Sequence, residues 1–281
     1  MKSQLIGQIS LDEQLIQKDI NKMLQFEFSD VYSDYVVIGD WKVCILWNHS
    51  GSHHDSLLRE YEGKPQPTAL GSQLTYLKTV IENVFNVDYI KWARVFLLHQ
   101  GLIVPHTDYV ELDKGFFRIH IPLQTNLNCL NSSEDVVFHM RRGEVWFLDA
   151  AKPHSACNFS NTIRLSLCID FIPSISLREI FRDPNQYNPD LTPHIVNRPP
   201  LDINYMKGLR SLGYLIEEEN FDDIITLLSK VHFLRSANAG AMFDWMVDIA
   251  EISGNKDLFG KVLAMKRFYI EKRSLGEILT V

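Results

Sequence analysis

His106, Thr107 and Asp108 follow Val104-Pro105 in a stretch that reads as extended chain. In a strand, side-chain direction repeats every two residues, so His106 and Asp108 share a face and can chelate one ion. An isolated His-x-Asp often has no metal, so the reading depends on a third ligand. His154, in Leu148-Asp149-Ala150-Ala151-Lys152-Pro153-His154-Ser155, follows a predicted strand from Glu144 to Asp149. Two imidazoles and one carboxylate on one side of a metal leave three positions open, the facial arrangement of non-haem Fe(II) oxygenases. Arg164 lies on the next predicted strand, and pairing around the intervening turn would bring it back toward the metal. An arginine inside a barrel needs an anion, because an unpaired buried charge is too costly. Its planar fork suits a carboxylate.

These residues need a scaffold, and the apolar periodicity supplies one. From about 88 to 172 the period is two, interrupted by turn signals at Gln100-Gly101, Asp113-Lys114-Gly115, Asn126 to Asp135 and Arg142-Gly143. Short strands at this spacing predict a β-sandwich or barrel. Phe117, Ile119, Ile121 and Leu123 point one way, and Arg118, His120 and Gln124 the other. Ile163, Leu165, Leu167, Ile169 and Phe171 likewise oppose Arg164, Ser166 and Asp170. Each strand thus has an apolar face and a face with an arginine, which predicts a wet or ligand-filled interior with helices outside.

Upstream, Ser10 and Glu13 have capping-box spacing, and Leu11, Leu15, Ile16 and Ile20 then recur helically. Residues 36–47 read as one strand with Trp41, Val43, Ile45 and Trp47 on one face. Residues 48–72 read as a long loop or lid, and 73–86 as a helix. Pro173, Pro184, Pro189, Pro193, Pro199 and Pro200 mark a linker or wrapped segment. Helices are expected over about 220–235, capped by Asn220, and over about 240–252 and 256–273. The expected organisation is a β-rich unit with N-terminal helices over 1–175, a Pro-rich linker over 176–202 and an all-helical subdomain over 203–281.

The 281 residues are 46% hydrophobic and 22% charged, an ordinary globular composition with room for roughly two domains. A net charge of -7 argues against a nucleic-acid partner, which needs a basic footprint. The N-terminal stretch lacks a signal-peptide core, and no uncharged apolar run approaches the ~20 residues of a membrane span. Cys44, Cys129, Cys157 and Cys168 form no C-x-x-C pair, so free thiols and a cytoplasmic location without membrane partners are expected. Ordinary readings are preferred elsewhere. His139 should make a structural hydrogen bond, and His49, His53, His54 and Asp55 should belong to a solvated lid. Glu217 to Glu219 should form an exposed helix end, and Met242, Phe243, Trp245 and Met246 should be helical core.

The segments HTDYVELD, RIHIPLQTN, FHMRRGEVWFLDAAKPHSA and RLSLCIDF resemble the bacterial L-proline cis-4-hydroxylases and their relatives that hydroxylate L-pipecolic acid. These belong to the aspartyl/asparaginyl β-hydroxylase-like branch of the Fe(II)/2-oxoglutarate-dependent dioxygenases. The resemblance covers most of the chain, including KVHFLRSANAGAMFDWM, and is strongest from about 92 to 171. It implies an α+β fold with a double-stranded β-helix, or jelly-roll, core. It implies Fe(II) on His106, Asp108 and His154, with 2-oxoglutarate as cosubstrate and O2 as oxidant. Arg164 would bind the distal carboxylate of 2-oxoglutarate, and His120 its 1-carboxylate. Arg118 would contact the amino-acid substrate, with Arg94 a further candidate and Trp41 lining the imino-ring pocket. The run Arg94-Val95-Phe96-Leu97-Leu98 lacks a second arginine found in that family near 97, and a more apolar wall there would favour a six-membered ring. Asp108 favours hydroxylation over halogenation, since related halogenases lack that carboxylate. The competing readings are hydroxylation of another free amino acid or a peptidyl residue, a zinc hydrolase, and a non-catalytic metal or ligand sensor. The interior arginines disfavour the hydrolase, and the full triad disfavours the sensor.

Overall fold

The computed structural model describes residues 2–30, 36–56, 61–108, 115–271, 273, 277 and 279. The first half runs β1 (Gln4–Gln8), α1 (Glu13–Met23), β2 (Val36–Ile38), β3 (Trp41–Asn48), β4 (Gln66–Pro67), α2 (Ala69–Gln73), α3 (Thr75–Val84), β5 (Ile90–Leu98) and β6 (Gly101–Ile103). Then come β7 (Phe117–Gln124), β8 (Cys129–Ser133), β9 (Val136–His139), β10 (Glu144–Leu148), β11 (His154–Asn158), β12 (Arg164–Phe171) and β13 (His194–Ile195). Helices α4 (Ile203–Ser211), α5 (Phe221–Leu234), α6 (Ala241–Ser253) and α7 (Lys256–Lys266) complete the chain, with a π-helical turn at Arg267–Glu271.

A seven-stranded sheet in the order β1-β10-β7-β12-β5-β3-β4 faces a six-stranded sheet in the order β13-β9-β8-β11-β6-β2, with every pairing antiparallel. The chain shuttles between the two sheets, giving the expected α+β jelly roll. Alternation divides the seven-stranded sheet as predicted. Ile119, Ile121, Leu165, Leu167 and Ile169 join one core with Ile16 and Ile20 of α1 and Leu77 and Ile81 of α3. Their neighbours Arg118, His120, Arg164 and Asp170 therefore face the second sheet. Arg94 and Phe96 share that inner face through register with Cys168 and Ser166.

Several expectations are corrected. The N-cap of α1 is Asp12, whose carboxylate accepts from Gln14 and Leu15 N–H groups, not Ser10. The predicted strand 36–47 is two strands in different sheets, because Gly39, at φ 77°, turns the chain between them. A Cβ at Gly39 would lie 2.1 Å from the Gln100 carbonyl oxygen. A bulge between Ile45 and Trp47 then sends Trp47 to the helix-side core, away from Val43 and Ile45. The 48–72 loop contains β4 and the start of α2, and its residues 57–60 lie outside the described ones. The 73–86 helix is α3, shorter at both ends. Leu74 gives it no side-chain cap, so buried Asp19 of α1 accepts the Leu77 N–H at 2.7 Å across the helix pair.

Of the two readings of the Pro-rich segment, linker or wrapped, the structure shows the wrapped one. Leu177, Ile180 and Phe181 enter the main core, and β13 extends the six-stranded sheet. The C-terminal helices have their own core, containing Met242, Phe243, Trp245 and Met246 as expected, and also Val104 from the barrel. Helix α4 was not predicted. Asn220 precedes α5 but does not cap it, since its amide group donates to the Leu215 carbonyl and its oxygen accepts from the Glu217 N–H. The last predicted helix ends at Lys266, where the π-helical turn begins. Glu217 to Glu219 are exposed. All four cysteines are buried free thiols. Among the described residues, no helix is long and apolar enough to cross a membrane.

Candidate active site

His106 follows β6, and His154 opens β11. The two backbones form a two-way bridge, His106 N–H to His154 O and back, each 2.9 Å. The rings therefore lie side by side, with centroids 4.4 Å apart. Each Nδ1 meets a carbonyl two residues upstream, Val104 at 2.7 Å for His106 and Lys152 at 2.9 Å for His154. A carbonyl can only accept, so each Nδ1 carries the hydrogen and each Nε2 presents its lone pair, as a metal ligand requires. Asp108 is placed by its N–H to the Ala150 carbonyl at 2.8 Å. Its Oδ1 lies 3.5 Å from His106 Nε2, and its Oδ2 lies 3.7 Å from His154 Nε2. One ligand atom from each residue falls within 4.8 Å of the others. Among the described residues this is the one cluster with such geometry, and the His49, His53, His54 and Asp55 group does not form a second.

The C-terminal helices reach this centre. Thr107, between two of the three candidate ligands, donates its N–H to the Tyr269 carbonyl at 2.8 Å, in the π-helical turn. Residues 109–114 of the HTDYVELD stretch and the turn after it lie outside the described residues.

Arg164 lies on the inner face, but not by the predicted strand pairing. β11 and β12 belong to opposite sheets, and the guanidinium spans the gap between them. Nη1 donates to the carbonyls of Leu130 (3.1 Å) and Cys157 (3.3 Å), and Nη2 donates to Asn131 Oδ1 at 2.7 Å. These partners are neutral oxygens, and no carboxylate pairs with Arg164 among the described residues. Burial without a counter-ion pushes the Arg164 pKa down.

His120 sits among Arg118, Arg164, Arg94 and His154. Burial, reinforced by Arg118 and Arg164, holds its imidazole well below the usual range, so it is neutral near pH 7. Its ring stacks on Phe96 at 6.3 Å, and its Nδ1 lies 3.4 Å from Ser166 Oγ. Trp41 lies 5.1 Å from Phe96 and 6.5 Å from His106, ring to ring, and so stands beside the candidate metal ligands. In the run Arg94 to Leu98, Leu97 packs in the helix-side core and Phe96 supplies the apolar wall on the inner face.

Arg118 and Arg94 converge on a carboxylate that the sequence reading placed on this face without a role. Asp170 Oδ1 accepts Arg118 Nε at 2.8 Å, and its Oδ2 accepts Arg94 Nη2 at 2.7 Å. Arg118 Nη1 also donates to Asp108 Oδ2. Burial opposes the charge on Arg118, but Asp170 and Asp108 outweigh it and hold the guanidinium pKa well above its usual value. Burial likewise opposes ionisation of Asp108, and Arg118 with the two imidazoles reverses this, keeping its pKa well below the carboxylate range. Burial, then His106, pushes His154 down to about 4. The centre is therefore a deprotonated carboxylate and two imidazoles with outward-tied Nδ1 atoms, a donor set that fits a divalent first-row metal. His139 is structural as expected, with its Nδ1 3.0 Å from the Cys129 carbonyl.

Comparison with known proteins identifies the family. Residues 11–173 match the aspartyl/asparaginyl β-hydroxylase family, and residues 178–277 match the L-proline 3-hydroxylase C-terminal family. An L-proline cis-4-hydroxylase of Rhizobium meliloti (strain 1021) is 34% identical over 282 residues, covering 100% of each chain. An L-proline cis-3-hydroxylase 1 of a Streptomyces species is 37% identical over 283 residues, covering 99% of this chain and 98% of the relative. A solved Pseudomonas putida prolyl-4-hydroxylase is 15% identical, with a TM-score of 0.36 over 60% of this chain and 92% of that one. The resemblance read from the sequence is borne out, and the chain belongs to the aspartyl/asparaginyl β-hydroxylase family.

Proposed function

We propose that the chain hydroxylates a free cyclic imino acid, L-proline or L-pipecolic acid, at an unactivated ring carbon. The reaction would use Fe(II), 2-oxoglutarate and O2 and release succinate and CO2. The observation that carries this reading is the clustering of His106, Asp108 and His154 in a barrel whose interior also holds an arginine that, among the described residues, is paired only with neutral oxygens. The full-length likeness to relatives named as L-proline hydroxylases supports the substrate class.

In this reading His106 and His154 ligate through Nε2 and Asp108 through its carboxylate. With 2-oxoglutarate, the bound iron supplies the oxidising chemistry, and the protein contributes binding and orientation. Arg164 takes the distal carboxylate of 2-oxoglutarate, an anion that no described residue supplies to the buried guanidinium. Neutral His120 can donate a hydrogen bond to the 1-carboxylate without adding charge. Arg118, with Arg94 beside it on the shared Asp170, would set the positive potential that a substrate carboxylate meets. Trp41 and Phe96 offer an apolar surface to the saturated ring. Fixing the carboxylate at one end decides which ring carbon faces the metal, so orientation sets regiochemistry. The helices from Ile203 to Lys266 and the π-helical turn after them would buttress the ligand segment through Tyr269 and Val104.

The test is incubation of the iron-loaded protein with 2-oxoglutarate, ascorbate and, separately, L-proline, L-pipecolic acid, other free amino acids and a proline-containing peptide. Succinate formation matched by one hydroxylated imino acid, identified by NMR, is the expected result. Succinate coupled to the peptide alone, or to no compound, would overturn the reading.

A further inference from the structure

Asp170 is completely buried, and the reaction as drawn assigns it no task. Its place is set by strand pairing: on β12 it is the register partner of Arg118 on β7, and its β12 neighbour Cys168 is the partner of Arg94 on β5. Asp170 grips Arg118 along one edge of the guanidinium, with Oδ1 2.8 Å from Nε and Oδ2 3.4 Å from Nη2. Oδ2 also accepts Arg94 Nη2 at 2.7 Å, which fixes the carboxylate from the other side. With that edge occupied, the remaining nitrogen, Nη1, is aimed at Asp108 Oδ2 and donates to it. Asp108 Oδ1 is then the oxygen turned to His106 Nε2, at 3.5 Å.

A carboxylate on a short side chain can present either oxygen, and a ligand that must find its orientation binds metal less tightly than one already held. A guanidinium is a rigid planar fork, so clamping one edge fixes the direction of the other. We propose that Asp170 is a positioning residue for the metal centre, acting through Arg118 to hold Asp108 in its ligating orientation. This rests on the ligand set proposed above. It also accounts for a fully buried acid facing two arginines, because an isolated Arg118 would be free to turn away from Asp108.

The test is a double-mutant cycle on Co(II) affinity, measured by titration calorimetry on the full-length protein, with circular dichroism confirming the fold. Asp170→Asn should weaken Co(II) binding by about tenfold or more, the usual cost of losing an outer partner of a ligand. Arg118→Lys, which keeps the charge but loses the fork, should do the same. If Asp170 acts through Arg118, the double variant should bind no more weakly than Arg118→Lys alone. Should Asp170→Asn not fold, Asp170→Glu retains the charge and displaces the carboxylate, and it should also bind Co(II) more weakly. Wild-type affinity in a folded Asp170 variant, or losses that multiply in the double variant, would overturn the proposal. His154→Ala is the control: if the wild type takes up no Co(II), or the uptake survives His154→Ala, the ligand set fails rather than the role of Asp170.

Discussion

The two faces of the seven-stranded sheet come from the same strands and hold opposite chemistry. On β7 and β12, Ile119, Ile121, Leu165, Leu167 and Ile169 are all fully buried against helices. One residue away on each strand, Arg118, Arg164 and Asp170 are buried and His120 is half-buried, all toward the other sheet. Each apolar side chain on the outer face stabilises the fold by roughly 1.5–3 kcal/mol through burial. Each ion on the inner face costs several kcal/mol of desolvation unless a partner offsets it. Arg94 and Arg118 have Asp170 and Asp108 as partners, whereas Arg164 has neutral oxygens. The outer face is therefore where stability resides, and the inner face holds charges placed for ligands that arrive later.

This contrast breaks first at Asp108. Asp108→Ala is expected to reduce succinate-coupled hydroxylation to background, and anaerobic Fe(II) binding should fall with it. Undiminished turnover in the iron-loaded variant would remove Asp108 from the ligands. On the opposite face, Leu167→Ala should destabilise the fold by about 2–5 kcal/mol in urea titrations. Its KM for 2-oxoglutarate should stay at the wild-type value, and a raised KM would show that the two faces are not independent. Arg164→Ala should do the reverse. Losing charged hydrogen bonds worth about 1.5–3 kcal/mol raises the 2-oxoglutarate requirement by about 10- to 100-fold. An unchanged cosubstrate titration would contradict its role.

Beyond the sheet, His232 of α5 is buried against Ser132 of β8, with Oγ and Nε2 3.0 Å apart. Burial, with Arg198 adding, pushes its imidazole down to about 3. An unfolded histidine titrates near ~6.5, so below that pH the unfolded chain binds a proton that the folded chain does not. Stability is thus complete above about pH 6.5 and declines as the pH falls toward 3, by at most about 1.4 kcal/mol per unit from this residue. Urea midpoints from about pH 7 to about pH 4 should fall less steeply in His232→Gln than in the wild type. An identical slope would exclude His232 as a contributor. The smallest expected effect is at the surface histidines: His53→Ala and His54→Ala should leave metal stoichiometry unchanged by elemental analysis.

The inner face was legible because alternation is a local property. His106, Asp108, His154, Arg118, His120 and Arg164 could each be placed from spacing and strand period, and the resemblance gave those positions roles. Long-range pairing was not legible. Nothing in the order of residues says that β11 and β12 part to opposite sheets, so Arg164 bridges the barrel rather than folding back beside His154. The bulge before Trp47 reversed a face that strict alternation would have kept. Asp170 was read as a polar neighbour, because its partners Arg94 and Arg118 are distant in sequence and meet it only through strand register. The Pro-rich strap read equally as a linker or a wrapped segment, because proline density reports missing regular structure. Its anchors Leu177, Ile180 and Phe181 bury themselves without any period.

The central claim is that His106, Asp108 and His154 hold one ferrous ion that shares 2-oxoglutarate with Arg164. Anaerobic titration of 2-oxoglutarate into the Fe(II)-loaded protein tests it most directly, because chelation of ferrous iron by a 2-oxo acid gives a visible charge-transfer absorption. The expected band saturates at one 2-oxoglutarate per chain, is absent in His154→Ala and needs more 2-oxoglutarate in Arg164→Ala. No band in the wild type, or the same band in His154→Ala, would contradict it.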